Sequence, residues 1–186
     1  MEYIYGNINS KMHSQPHNNM PPSEWVIRYA KYIQNHGVVL DLACGAGRHT
    51  RYMLGLSHPV VAIDIDISKL SDISNIRNLY ILEYNLEESA WPLGDKEFAG
   101  IIVTNYLHRP LIPSILGSLA DKGILIYETF AVGNETLGKP KNPDYLLKHE
   151  ELLDFCRGQL RVIAYENLTI KKPKPAVVQR ICAINN

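Results

Sequence analysis

The stretch VVLDLACGAGRHT, residues 38–50, places an aspartate, two glycines and a threonine around one short turn: Asp41, Gly45, Gly47 and Thr50. Glycine lets a backbone turn tightly and lets a ligand approach it closely, so Gly45 and Gly47 after an apolar run mark a binding loop. Further polar residues close the apolar runs downstream. Asp64 ends VVAID, where a carboxylate can accept two ribose hydroxyls as charge-assisted hydrogen bonds. Asn85 and Leu86 end EYNLE, where an adenine edge and face could sit. Asn105, Tyr106 and His108 follow the next run in TNYLHR. An imidazole at His108 can take a proton from a hydroxyl, thiol or amine near neutral pH, and Tyr106 can shape a pocket or orient a nucleophile.

Two ligands suit such a turn: a dinucleotide, and S-adenosylmethionine, an adenosine joined to a charged methionine. The dinucleotide fingerprint needs a third glycine for close helix packing, and Thr50 stands at that position. Asp41 is the more telling residue. A carboxylate beside the turn repels pyrophosphate and attracts a methionine ammonium, which favours S-adenosylmethionine. Asp64 serves either ligand. A nicotinamide-dependent oxidoreductase therefore stays open as an alternative, as does a catalytically silent cofactor-binding module that regulates a partner.

These residues need a scaffold that brings strand ends together. Apolar runs at 38–42, 59–66, 79–84, 99–107 and 123–130 alternate with helical segments, the pattern of a parallel sheet covered on both faces. Helices are expected from Ser23 to near Gly37, from about Arg48 to Leu56, briefly after Ser68, from Pro110 to Ala120 and from Tyr145 to Phe155. Two closing strands, RVIAYENL and AVVQRICAIN, are joined by a connection too short for a crossover, so they should pair antiparallel. Residues 131–145 form a loop long enough to suggest a lid. Residues 1–20 carry no apolar period and read as an arm preceding a domain over 21–186.

Composition narrows the function. Lys plus Arg equals Asp plus Glu at 19 each, so no overall field draws the chain to nucleic acid or an anionic membrane, and a small-molecule partner is favoured. Cys44, Cys156 and Cys182 form no disulfide framework and no metal-ligand spacing, which points to no metal and to a reduced, cytoplasmic setting. No run reaches the ~18 apolar residues of a membrane span. Oligomeric state is left open. His13 and His17 have no spaced partners, the basic KKPKP at 171–175 reads as a solvated loop tip, and Glu128 is balanced between a structural and a site acid.

The pattern D-x-x-x-G-x-G, carried by Asp41, Gly45 and Gly47, resembles the class I S-adenosylmethionine-dependent methyltransferases. PSEWVIR, LDLACGAGRH, NYLHRPL, YETF and GKPKNPDYLL together resemble a group of small bacterial methyltransferases distantly similar to the tellurite-resistance methyltransferases. The resemblance implies a Rossmann-like, doubly wound, seven-stranded, mostly parallel α/β sheet with an antiparallel last strand. It implies that Asp41, Ala43, Gly45 and Gly47 hold the methionine moiety, Asp64 the ribose, and Ile65 and Leu86 the two faces of the adenine. Asn85 stands where an acid is more frequent, and its amide oxygen can still accept from the adenine amino group. Asn105 lies near the methionine end. The activity implied is methyl transfer to an acceptor, with S-adenosylhomocysteine as product. The tyrosine and histidine after the fourth run, Tyr106 and His108, are the catalytic candidates. TNYLHR lacks the Asn/Asp-Pro-Pro-aromatic order of amino-directed DNA and protein-glutamine enzymes, and no cysteine follows a proline, which disfavours base methylation.

Overall fold

The computed structural model describes residues 20–186, so the expected arm, apart from Met20, lies outside the described residues. Seven strands form one sheet: β1 (Val39–Leu42), β2 (Val60–Asp64), β3 (Leu79–Glu83), β4 (Phe98–Thr104), β5 (Leu119–Phe130), β6 (Leu160–Ile170) and β7 (Ala176–Asn185). Their order is β3-β2-β1-β4-β5-β7-β6. The first five run parallel, and β7 pairs antiparallel with both β5 and β6. The expected closing hairpin is therefore present, and it seals the sheet beside β5.

Alternation along the buried strands divides the core into two faces. Helix α1 (Glu24–Tyr29) and helix α2 (Arg48–Gly55) pack Trp25, Val26 and Met53 against Val39, Val60, Ile102 and Ile126. Helix α3 (Ile112–Gly117) and helix α4 (Glu151–Cys156) pack Ile112, Ile115 and Leu152 against Leu40, Ile63, Ile101 and Leu125 on the other face. Neighbouring strand residues point to opposite faces, so a run such as Val39-Leu40 feeds both layers and must be apolar throughout.

Ser23 caps α1, its side chain accepting from the Trp25 N–H, and Trp25 Nε1 donates to the Ile181 carbonyl at 3.1 Å. These two bonds fix the first helix to the strand at the far side of β5. The helix is shorter than expected: it tightens into a 3₁₀ turn at Ala30–Tyr32, and Ile33 is already extended. Helix α4 begins six residues later than the pattern suggested, for a tertiary reason. Leu147 N–H donates to the Phe130 carbonyl, and Val132 N–H donates to the Leu147 carbonyl, so the chain at 147 extends beside the end of β5 and cannot be helical.

Candidate functional site

In this strand order the connections reverse direction between β1 and β4, and open α/β sheets bind ligands at the carboxyl ends of the strands at that point. The glycine turn lies there. Ala43 (φ 53), Gly45 (φ 55) and Gly47 (φ 71) all adopt left-handed backbone, as does Asn105 (φ 55) at the end of β4. For Ala43 and Asn105 that conformation costs about 1–2 kcal/mol each, and such strain gathers where a backbone must aim its polar groups. The turn is pinned by the Cys44 N–H on the Ile63 carbonyl, and Asn105 by its N–H on the Glu128 carbonyl.

The two glycines serve different purposes. A Cβ at Gly47 would come within 2.3 Å of Leu70 Cδ2, so Gly47 lets α2 seat against its own neighbour. A Cβ at Gly45 would meet nothing within 4 Å. The space above Gly45 is open, and beside it Asp64 accepts from the Gly45 N–H at 2.7 Å and from the Asp66 N–H at 3.0 Å. A carboxylate has about four acceptor sites, so Asp64 keeps capacity for ligand hydroxyls.

Asp41 lies beneath the turn, 1% exposed, where Thr50 Oγ1 donates to its carboxylate at 2.6 Å. Burial pushes the Asp41 carboxyl up to about 6, against the opposing pull of the Thr50 bonds and the Arg48 charge. The position of the dinucleotide fingerprint's third glycine is thus a buried threonine clamped to the acid. Arg48, the first residue of α2, is half-buried, and burial lowers its guanidinium while Glu128 and Asp41 raise it. Among the described residues its side chain makes no hydrogen bond and no ion pair. Sequence reading passed over Arg48, although it stands inside the glycine stretch itself.

His49 links α1 to the site. It is 1% exposed, its Nε2 accepts from the Ser23 N–H at 3.1 Å, and Nδ1–H then faces Thr104 Oγ1 at 3.4 Å. Burial holds the imidazole down at about 3, so it stays neutral. Glu128 accepts from Ser23 Oγ at 2.8 Å and pairs with Arg180 at 3.3 Å, which ties it to α1 and β7. Arg28 is half-exposed and pairs with Glu166 at 3.4 Å. Burial raises the Cys44 thiol well above its ordinary value, which leaves it unreactive.

The adenine candidates separate. Ile65 is 64% exposed, a bare apolar face beside Asp64. Leu86 is 6% exposed and belongs mainly to the core, so it offers only a rim. Asn85 Oδ1 accepts from the Glu87 N–H at 3.0 Å, which fixes its direction and leaves one lone pair of the oxygen expected to meet an adenine amino group.

Beyond β4 and β5 a cavity of about 210 Å³ is lined by Glu87, Asn105, Tyr106, Thr129, Phe130, Pro140 and Tyr145, among others. Tyr106 lines it; His108 does not. His108 precedes a 3₁₀ turn at Arg109–Leu111, and its carbonyl accepts from the Leu111 N–H. The segment expected as a lid contributes Pro140 and Tyr145 to the wall of this cavity, and its backbone is tied to residues outside it. Asn134, 1% exposed, donates to the Pro140 carbonyl and accepts from the Val177 N–H. Arg109 holds the Asp144 carbonyl at 2.6 Å, the Leu146 carbonyl at 2.9 Å and both Glu151 oxygens.

The strand order with its antiparallel β7, and a glycine turn flanked by acids at the ends of β1 and β2, define the fold of the class I S-adenosylmethionine-dependent methyltransferases. Solved structures that share it include TehB from Haemophilus influenzae, with a TM-score of 0.70 and 19% identity over 87% of this chain and 61% of that one. The 1,6-didemethyltoxoflavin-N1-methyltransferase from Burkholderia thailandensis, crystallised with S-adenosylhomocysteine, matches at a TM-score of 0.65 and 17% identity over 87% of this chain and 76% of that one. The N-methyltransferase NodS from Bradyrhizobium japonicum matches at 0.63 and 14% over 86% and 93%. At these identities the likeness is one of fold, and this chain spans less than two thirds of TehB. No family model and no curated protein matches the sequence. Among the described residues no helix is long and apolar enough to cross a membrane, and no group of His, Cys, Asp or Glu is placed to hold a metal.

Proposed function

We propose that this chain is an S-adenosylmethionine-dependent methyltransferase acting on a small-molecule acceptor. The observation that carries the reading is the open space over Gly45, framed by Asp64 beside it and Asp41 beneath it at the sheet's switch point. The donor set fits the cofactor. The left-handed backbone at Ala43, Gly45, Gly47 and Asn105 surrounds the methionine portion, Arg48 receives its carboxylate, and Asp41 supplies the negative field that draws its ammonium. Asp64 takes the ribose hydroxyls, Ile65 and the rim of Leu86 flank the adenine, and Asn85 borders its edge. The clamped Thr50 supports this ligand over a dinucleotide. Among proteins of this fold, the Burkholderia and Bradyrhizobium examples are N-methyltransferases, which supports group transfer over mere binding.

The bound cofactor supplies a methyl group on a sulfonium. What remains for the chain is to hold an acceptor in line with that methyl and to keep water out, an effect worth about 7–11 kcal/mol when orientation is good. Tyr106, whose carbonyl is fixed by the Tyr127 hydroxyl at 2.9 Å, and the 131–147 wall perform that task. Calorimetric titration with S-adenosylhomocysteine, with NADH in a parallel cell, tests the reading. Binding of the first alone is expected; binding of NADH alone, or of neither by a folded protein, overturns it.

A further inference from the structure

The cavity beside the glycine turn has a chemistry that restricts what it can accept. Among the described residues Glu87 is the only charged one in the lining, and it is exposed to solvent. The aromatic side chains of Tyr106, Phe130 and Tyr145 line the same space. Among the described residues no arginine, lysine or histidine lines it: Arg109 is consumed by Glu151 and two carbonyls, and Lys139 and Lys141 flank Pro140 on exposed chain without joining the lining. The hydroxyl of Tyr106 is buried without a hydrogen-bond partner, and the charges of Glu87 and Asp64 both raise its phenol, after burial itself. The field at this wall is therefore negative.

Resting on the methyltransferase reading above, we propose that the acceptor is a small organic amine, recognised at its nitrogen by Glu87 and over its apolar part by the tyrosine faces. An anionic acceptor, an oxyanion or a carboxylate, would set its charge against Glu87 with no counter-charge among the described lining residues. The bound ammonium first gives one N–H proton to the Glu87 carboxylate, which passes it to water, and so exposes its lone pair. That pair forms the new N–CH₃ bond while the C–S pair stays with sulfur, and the product leaves as the methylated ammonium. A neutral hydroxyl is a far weaker acid than an ammonium and yields its proton to an exposed carboxylate far less readily, and His108 stands outside the cavity. A cavity of about 210 Å³ equals roughly seven waters at ~30 Å³ each, so the part of the acceptor it encloses is about one six-membered ring with a short substituent.

Three probes of that size differ mainly in charge: benzylamine, benzyl alcohol and benzoate. The full chain, saturated with S-adenosylhomocysteine, is titrated with each by NMR. Benzylamine should bind at least tenfold more tightly than benzoate. Glu87→Gln should weaken benzylamine about fivefold to tenfold and leave both benzyl alcohol and S-adenosylhomocysteine unchanged, and Glu87→Lys should invert the order of amine and carboxylate. Benzoate binding as well as benzylamine, none of the probes binding, or an order indifferent to both variants would overturn the proposal while the cofactor reading stands. Failure of S-adenosylhomocysteine itself to bind would remove both.

Discussion

If Gly45 borders the ligand and Gly47 borders the protein, the same substitution at each must fail differently. Gly45→Ala places a methyl in open space at φ +55, and Gly47→Ala places one 2.3 Å from Leu70 Cδ2 at φ +71. A left-handed alanine costs about 1–2 kcal/mol, which at about 2–4 °C per kcal/mol for a chain of this size lowers the melting temperature of Gly45→Ala by about 2–8 °C. Gly47→Ala carries the same strain plus an overpacking cost of about 1–3 kcal/mol, because Leu70 is fully buried and has no free direction to move, for a total of about 4–20 °C. Binding should run the other way. The Gly45 methyl occupies the place from which the ligand approaches the backbone, so S-adenosylhomocysteine affinity should fall at least tenfold, about 1.4 kcal/mol. Paired thermal melts and calorimetry give both numbers for both variants. Wild-type affinity in Gly45→Ala, or the same ratio of binding loss to stability loss at both glycines, refutes the assignment of the open space to a ligand.

Three other outcomes follow from the same geometry. Asp41 is held at about 6 against 3.8 for an unperturbed carboxyl, so its contribution to stability is fully present below pH 3.8 and is lost as pH rises through 6. Asp41→Asn should therefore gain on the wild type by up to about 3 kcal/mol between pH 4 and pH 8 in denaturant melts, at the expense of cofactor affinity; a gap independent of pH contradicts this. Arg48→Gln should weaken S-adenosylhomocysteine about tenfold or more, as expected for a lost bond to a charged group, and leave 5′-methylthioadenosine, which lacks the amino-acid portion, unaffected; equal weakening of both places Arg48 elsewhere. Arg109→Ala leaves Glu151 and two carbonyls without their donor and should cost about 1–3 kcal/mol, speed proteolysis within 138–146 and spare S-adenosylhomocysteine affinity; unchanged cleavage means that the wall does not depend on this residue.

The strands were readable because a parallel sheet covered on both faces demands continuous apolar runs, and Val39–Leu42, Val60–Asp64 and Phe98–Thr104 satisfy that demand locally. The pairing of the last two strands was readable from the brevity of their connection. The late start of α4 was not, because a helical pattern over 145–155 is overruled by pairing of Leu147 with chain at Phe130 and Val132. The contacts of the loop at 131–145 were hidden for a similar reason: length and composition marked the loop, but Asn134 and Arg109 tie it down across sequence separations no local pattern encodes.

The two halves of the site differ in the same way. The proposed cofactor half is nearly contiguous: Asp41, Ala43, Gly45, Gly47, Arg48 and Thr50 fall within ten residues, and only the strand-end residues come from elsewhere. A ligand whose binding needs a strained turn must write that turn into adjacent residues, because left-handed backbone and close approach are local requirements. The acceptor half needs only walls, and walls can come from anywhere. Glu87 follows β3, Tyr106 follows β4, Thr129 and Phe130 end β5, and Tyr145 arrives from the wall beyond it. Glu87, the charge proposed to restrict the acceptor, stands one residue after Leu86, the proposed rim of the adenine site, yet nothing in the spacing of EYNLE separates a cofactor residue from an acceptor residue. Only the fold separates them, burying Leu86 in the core and exposing Glu87 in the cavity lining.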